Sequence, residues 1–356
     1  MKQLPNTVRL EHAILGSEKN HVLREHCLQF SHYTPKRRIE YAILQKPGGE
    51  CVRKHIFSRA LLIILLFFLT VSSHATAARS SSVISKTAVH FFNEGQRING
   101  ILTEPEFLQN PAPVIILLHG FLGHMDDLPV HDSEESLFEM TARIFAEGGI
   151  SSLRFDFRGS GTSEGEWKDT TFNKQVSDAI SSISFLQSLE NIDGNRIGVV
   201  GLSQGGLVAA CLAARDSRVK SVALWSAVAI PVHTYSALLG KDSVDRAIEA
   251  DSLEEITAEI SWGGKTVLRK EFFDELFLID PVAEIVSYDG PLLVVSGSKD
   301  NLVFPQPEVS RLFITYHKGV NRLLEQDSGH IFDLFERQDK VREIIEATLE
   351  WFKITL

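Results

Sequence analysis

The sequence predicts an α/β fold: a doubly wound, mostly parallel sheet with a cap inserted after its sixth strand. Three observations carry this expectation. From residue 114 to 225, short apolar runs alternate with longer periodic ones, the rhythm of strand–helix–strand units with right-handed crossovers. Val114–Leu118 and Ile197–Val200 are apolar without alternation, as strands buried on both faces require. The alternation then breaks between about residues 229 and 286, and a further apolar run follows at Leu292–Gly297.

Composition bounds what the chain can be. Of 356 residues, 44% are hydrophobic and 23% charged, so a large core is available. The formal charge of -10 is uneven: residues 1–77 hold 11 Lys+Arg against 5 Asp+Glu, and the remainder holds 25 against 41. An acidic body argues against a nucleic-acid partner. Beyond the N-terminal region Cys211 stands alone, in an apolar run, and reads as a small core residue rather than half of a disulfide.

The N-terminal region has its own layout. Residues 52–59 are basic, Ala60–Val71 is apolar apart from Thr70, and Ala75-x-Ala77 offers small residues for cleavage. Basic, apolar and small-residue segments in this order predict a signal peptide over 52–77 and a periplasmic or secreted protein. The apolar run is short for a permanent membrane span; the alternative is a membrane anchor from an uncleaved signal. Residues 1–51 show no clear periodicity and are expected to be a disordered extension or one from a start placed too far upstream, with Val52 as the true start if its codon is one that bacteria also use for initiation. A cytoplasmic tail before a signal anchor is the rival. Residues 78–356 then form one domain, with the cap at about 229–286.

Taken in order, Ala88–Phe92 and Ile98–Leu102 flank Asn93-Glu-Gly-Gln, a hairpin connection. Pro111 and Pro113 precede the strand at Val114. Ser136–Ala146 reads as a helix with Ser133 or Asp132 as its cap, ended by Gly148-Gly149. Ile150–Phe157 is a strand, Arg158–Gly165 a glycine-rich loop, and Phe172–Leu189 a helix. After the strand at Ile197 comes a helix over Leu207–Ala214, then a strand over Val219–Trp225. In the cap, Ser243–Glu259 reads as a charged helical run, Ser261–Lys265 as a hairpin turn, and Phe272, Phe273 and Phe277 as an aromatic cluster. Arg322–Glu325 is the last strand and Val341–Phe352 a closing amphipathic helix.

The chemistry centres on Gly201-Leu-Ser-Gln-Gly205. A serine flanked by glycines between a buried strand and a helix is the context of a nucleophile elbow. A serine hydroxyl needs a base, and the base an orienting carboxylate. In the chain order Ser…Asp…His, Asp300 follows the strand at 292–297 and His330 lies in a glycine-containing loop before the closing helix. Asp327 is expected to shape the His330 loop. Asp289 stands at the wrong end of its strand, and His317 reads as a surface residue on a helix. Oxyanion donors are expected from the N–H groups of Gln204 and of Phe121, the latter in His119-Gly-Phe-Leu-Gly123. His119 itself reads as locally bonded. His124 and His131, with Asp126, Asp127 and Asp132, lack metal-ligand spacing, and Gly159-x-Gly161 lacks a dinucleotide fingerprint. Neither a metal nor another cofactor is therefore expected.

His119-Gly-Phe, Arg154-Phe-Asp-Phe-Arg-Gly-x-Gly161, Gly201-x-Ser-Gln-Gly-Gly206, Asp300 and His330 together resemble the α/β-hydrolase superfamily, over about residue 88 to the end. Within it the arrangement is similar to bacterial carboxylesterases of the cinnamoyl/feruloyl type and, more loosely, to serine aminopeptidase-like hydrolases. The resemblance implies that Arg154, Asp156 and Arg158 serve the fold beside the site, and it implies a cap of about this size. The expected function is hydrolysis of a small-molecule carboxylic ester by Ser203, His330 and Asp300. The first rival is a peptidase that holds a substrate amine on Glu249, Asp251, Glu254 and Glu255. The second is a non-catalytic binding protein of the same fold.

Overall fold

The computed structural model describes residues 84–106 and 111–356; the signal-peptide and extension assignments lie outside these residues. It contains an eight-stranded sheet, and the strands run β1 Ile84–Asn93, β2 Gln96–Pro105, β3 Ala112–Leu118, β4 Ser151–Phe155, β5 Ile192–Leu202, β6 Val219–Trp225, β9 Leu292–Gly297 and β10 Asn321–Gln326. Their spatial order is β1-β2-β4-β3-β5-β6-β9-β10. β1 and β2 form a hairpin whose turn residues Glu94 and Gly95 both have positive φ, as a tight two-residue connection demands. β2 meets β4 antiparallel, and every later pairing is parallel. The sheet is therefore mostly parallel and doubly wound, as the alternation of apolar runs predicts.

Side-chain alternation divides the core. Val114, Ile116 and Leu118 point into one layer, with helices α2 Phe172–Leu186 and α3 Gln204–Arg215. Ile115 and Leu117 point into the other, with α1 Leu137–Glu147 and α9 Gln338–Thr355. Each central strand thus buries both faces, which is why its sequence shows no polar alternation. β3 pairs with β4 on one side and β5 on the other, so the order of winding reverses there. The carboxyl ends of β3 and β5 flank the crevice where ligands of such sheets sit.

Between β6 and β9 the chain leaves the sheet. It forms α4 Pro231–Leu239, α5 Lys241–Glu249, a hairpin of β7 Glu255–Glu259 and β8 Lys265–Arg269, then α6 Lys270–Leu278 and α7 Pro281–Glu284. One flank of this cap is stapled to residues 167–174: Trp167 Nε1 donates to Thr266 (2.9 Å), Lys168 pairs with Glu255 (3.0 Å), Lys174 with Glu271 (3.1 Å), and Arg269 with Asp169. Helix α8, Glu308–Tyr316, lies between β9 and β10.

Three local expectations are corrected. α1 is capped by Ser136, whose hydroxyl accepts from Glu139 N–H while the Glu139 carboxylate accepts from Ser136 N–H, a reciprocal capping box. Ser133 instead closes a turn onto Glu135 N–H. The run Ser243–Glu259 is not one helix: it stops at Glu249, and Ile256 and Ala258 are buried between exposed Glu255, Thr257 and Glu259, a period of two that only a strand satisfies. His317 is buried where α8 ends, because Tyr288 covers its ring (5.8 Å between centroids) and the Asn321 amide lies against Nδ1 (3.3 Å).

Candidate active site

Ser203 sits at the carboxyl end of β5 with φ 56° and ψ -114°, a conformation rarely adopted by a side-chain-bearing residue. The backbone around it makes the strain tolerable. Ser203 N–H donates to Trp225 C=O (2.8 Å), and Ser203 C=O accepts from Gly206 and Val228 N–H (3.0 and 3.1 Å). A Cβ on Gly201 would drive into the Gly205 carbonyl, and one on Gly205 into the Leu118 carbonyl. Only glycine lets α3 start this close to β3, which is the physical content of the flanking glycines. Ser203 stands before the first residue of α3, at the positive end of that helix.

Asp300 follows β9 and His330 follows β10. These loops are laced together: Ser298 N–H donates to Gln326 C=O (2.8 Å) and Lys299 N–H to Ser328 C=O (2.9 Å). His330 Nδ1 lies 2.7 Å from Asp300 Oδ2. Asp300 Oδ1 accepts from Leu302 and Val303 N–H (2.8 and 2.9 Å), and its side chain is fully buried. Three donors thus hold one carboxylate in place behind the imidazole. Asp333 Oδ1 accepts Gly329 N–H (2.8 Å) and fixes the histidine loop. Asp327 is a surface residue paired with Lys299 (2.8 Å).

Ser203 and His330 line one cavity of about 1000 Å³, with Gly120, Phe121 and Leu122 from the loop after β3. That loop runs alongside the serine, since a Cβ on Gly120 would stand 3.5 Å from Ser203 Cβ. His119 is buried; its Nδ1 bonds Gly120 C=O (2.9 Å) and its Nε2 accepts Phe157 N–H (3.2 Å). Burial holds its pKa below the usual histidine value, so the ring is a neutral strut with both nitrogens engaged.

The charged residues beside the site hold this scaffold. Buried Arg154 pairs with Asp126 (2.7 Å) and Glu139 (3.4 Å). Asp156 accepts Met125 N–H (2.8 Å) and Thr162 N–H (2.7 Å), and Arg158 pairs with Asp178 (2.6 Å) and Glu94 (2.8 Å). His124 Nδ1 accepts from its own loop at Asp126 N–H (3.3 Å), and His131 faces Asp132 (3.4 Å).

The cap contributes Thr234, Tyr235, Ala237, Leu238, Ser261 and Trp262 to the cavity wall. Among the described residues no cap carboxylate lines it: Glu249, Asp251, Glu254 and Glu255 are exposed on the outside. Carboxylates at the wall come from Asp127, Asp333 and Glu336, outside the cap. Tyr235 and Gln175 are site residues that sequence reasoning missed. The Tyr235 hydroxyl donates to Gln204 Oε1, and Gln204 Nε2 donates to Gln175 Oε1 (2.8 Å). Nothing local in the sequence signals a link between residues 31 positions apart.

Comparison with known proteins agrees with this architecture. A family model described as the alpha/beta hydrolase fold matches residues 113–248. An uncharacterized 31.7 kDa protein of the traX-finO intergenic region of Escherichia coli is 26% identical over 271 residues, 68% of this chain and 90% of its own length. A protein named thiohydrolase aneE from Aspergillus aculeatus is 32% identical over 112 residues, covering 31% of this chain and 32% of that protein. Among solved structures, Est1E of Butyrivibrio proteoclasticus with ferulic acid bound superposes with a TM-score of 0.61 at 24% identity, covering 75% of this chain and 99% of that one. The doubly wound sheet, the strained serine turn and these similarities together show that the chain has the alpha/beta hydrolase fold.

Proposed function

We propose that this chain is a serine hydrolase that cleaves carboxylic esters through an acyl-enzyme. The observation that carries this reading is the 2.7 Å contact between His330 Nδ1 and Asp300, at the wall of the cavity that Ser203 shares. With Nδ1–H donated to Asp300, Nε2 is left as the free base. Ser203 Oγ attacks the ester carbonyl as His330 Nε2 takes its proton. The carbonyl oxygen becomes an oxyanion held by the N–H groups of Gln204 and Phe121. Collapse breaks the C–O bond, and the alcohol leaves with the proton from His330. Water, activated by the same imidazole, then releases the acid and restores Ser203. The reaction needs no cofactor.

An ester is favoured over a peptide amine because the cap carboxylates that a terminal amine requires face away from the cavity. The apolar wall formed by Phe121, Val228, Leu238, Leu302 and Val303 suits an uncharged acyl or aromatic group. The name of one relative, a thiohydrolase, points to related acyl chemistry. Export, guided by residues 52–77, is part of the proposal, and mass spectrometry of the natural N-terminus checks it: a start at or near residue 78 is expected. The enzymatic test is hydrolysis of p-nitrophenyl esters from acetate to octanoate by the chain and its Ser203→Ala variant, with fluorophosphonate labelling of both. Activity and adduct are expected in the first and absent in the second; equal rates in both overturn the reading.

A further inference from the structure

We propose that Tyr235 of the cap is a positioning residue for the oxyanion hole. It touches both residues whose N–H groups are proposed to hold the oxyanion: its hydroxyl donates to the Gln204 side chain, and its ring packs on Phe121. This inference rests on the serine-hydrolase reading and goes beyond it by tying the cap to the chemistry.

Gln204 opens α3 directly after Ser203, and its side chain is buried. A buried amide must have its polar atoms satisfied or it reorients. Here the donors and acceptors form a chain: Tyr235 hydroxyl to Gln204 Oε1, Gln204 Nε2 to Gln175 Oε1 (2.8 Å), and Gln175 Nε2 to Thr170 Oγ1 (3.2 Å). Among the described residues, Tyr235 supplies the donor to Gln204 Oε1. Without it, the side chain of the residue that opens α3 has an orphaned acceptor in a buried site.

The second contact fixes the other donor. The Phe121 ring is held edge-on by Tyr235 at 5.4 Å and Trp167 at 5.3 Å, with Phe272 at 5.9 Å beneath. Phe121 lies in a turn closed by Gly123 N–H on Gly120 C=O (3.2 Å), which His119 Nδ1 also meets (2.9 Å), and the aromatic nest holds the Phe121 ring beside that turn. Tyr235 is itself locked between Phe172 (5.5 Å) and Phe272 (5.1 Å). Burial pushes its phenol pKa well up, so the hydroxyl stays a donor wherever His330 can act as a base.

The test is Tyr235→Phe in the full chain, which keeps the ring and removes the donor. With p-nitrophenyl butyrate we expect kcat to fall by about 10- to 50-fold, less than the loss of a whole oxyanion donor, with KM within about twofold. A trifluoromethyl ketone, which forms an oxyanion adduct, should weaken by the same factor as kcat/KM falls. The corresponding alcohol, which mimics only ground-state binding, should bind unchanged. Gln204→Met breaks the link from the other side, and the double variant should lose no more than the worse single one. A kcat within about twofold of the parent in folded Tyr235→Phe overturns the proposal, as does equal weakening of ketone and alcohol. If Tyr235→Phe does not fold, Gln204→Met decides by the same two inhibitors. Activity retained by Ser203→Ala would instead refute the serine reading beneath it, and the inference would fall with it.

Discussion

Replacing Asp300 with asparagine removes a charge while keeping the shape of the side chain. In the structure Asp300 receives three hydrogen bonds, from His330 Nδ1 at 2.7 Å and from Leu302 and Val303 N–H at 2.8 and 2.9 Å. An asparagine oxygen still satisfies the two backbone donors, so the amide nitrogen is forced towards His330. Two N–H groups cannot share that contact. The imidazole must move its proton to Nε2, the nitrogen that the mechanism requires as a base. By analogy with the effect of this change in serine proteases, kcat should drop by about 10⁴-fold, or about 5.5 kcal/mol of barrier, with KM little altered. The fold should hold, because no cavity is made and the backbone bonds persist. The assay is steady-state hydrolysis of p-nitrophenyl butyrate, with circular dichroism as the control. Asp327→Asn, at an exposed position, is the paired comparison and should stay within about twofold. A kcat for Asp300→Asn within tenfold of the parent, or a larger loss at Asp327, would refute the assignment of the acid.

Other consequences are as direct. Gly205→Ala places a methyl against the Leu118 carbonyl, which has no room to yield, and should cost about 3 kcal/mol or more, read as a lower urea midpoint. Burial holds the pKa values of His119 and His317 below the ordinary histidine value. The unfolded chain therefore binds more protons, so stability is full above about pH 6.5 and declines as pH falls below it, by up to about 1.4 kcal/mol per unit for each histidine. Urea midpoints at pH 7.5 and 5.5 should show this fall, and His317→Phe should flatten it. Cys211 is fully buried and its thiol pKa is pushed up by that burial, so peptide mapping should find it unmodified by iodoacetamide at pH 8 in the native protein and modified in urea.

The sheet was legible because its physics is local. Val114–Leu118 and Val222–Trp225 must be apolar to lie between two helical layers, and the glycine at 201 answers a steric demand from Gly205, close by in the chain. The cap was less legible. Charge made Ser243–Glu259 look helical, yet Ile256 and Ala258 are buried by pairing with β8, a partner that the segment's own composition does not announce. His317 misled for the same reason: its lysine neighbour suggests a surface, while the ring is covered by Tyr288, far away in the chain. At the site, sequence order and strand ends single out Ser203, Asp300 and His330, but the Tyr235–Gln204 link has no period or motif. Polar pairs between distant elements are written in three dimensions only.

The position of β10 has a consequence for how the protein fails. It is an edge strand, paired on one side only among the described residues, and most of its residues are at least partly exposed. His330 hangs from its end, whereas Ser203 stands on a strand paired on both sides. Edge elements open locally at lower free energy than the whole molecule does, so the proposed base can swing away while the proposed nucleophile stays set. Inactivation by mild urea or warming should then run ahead of global melting. Amide exchange along residues 321–331 would be faster than along β5, and would report the loss of activity before spectroscopy reports any loss of structure.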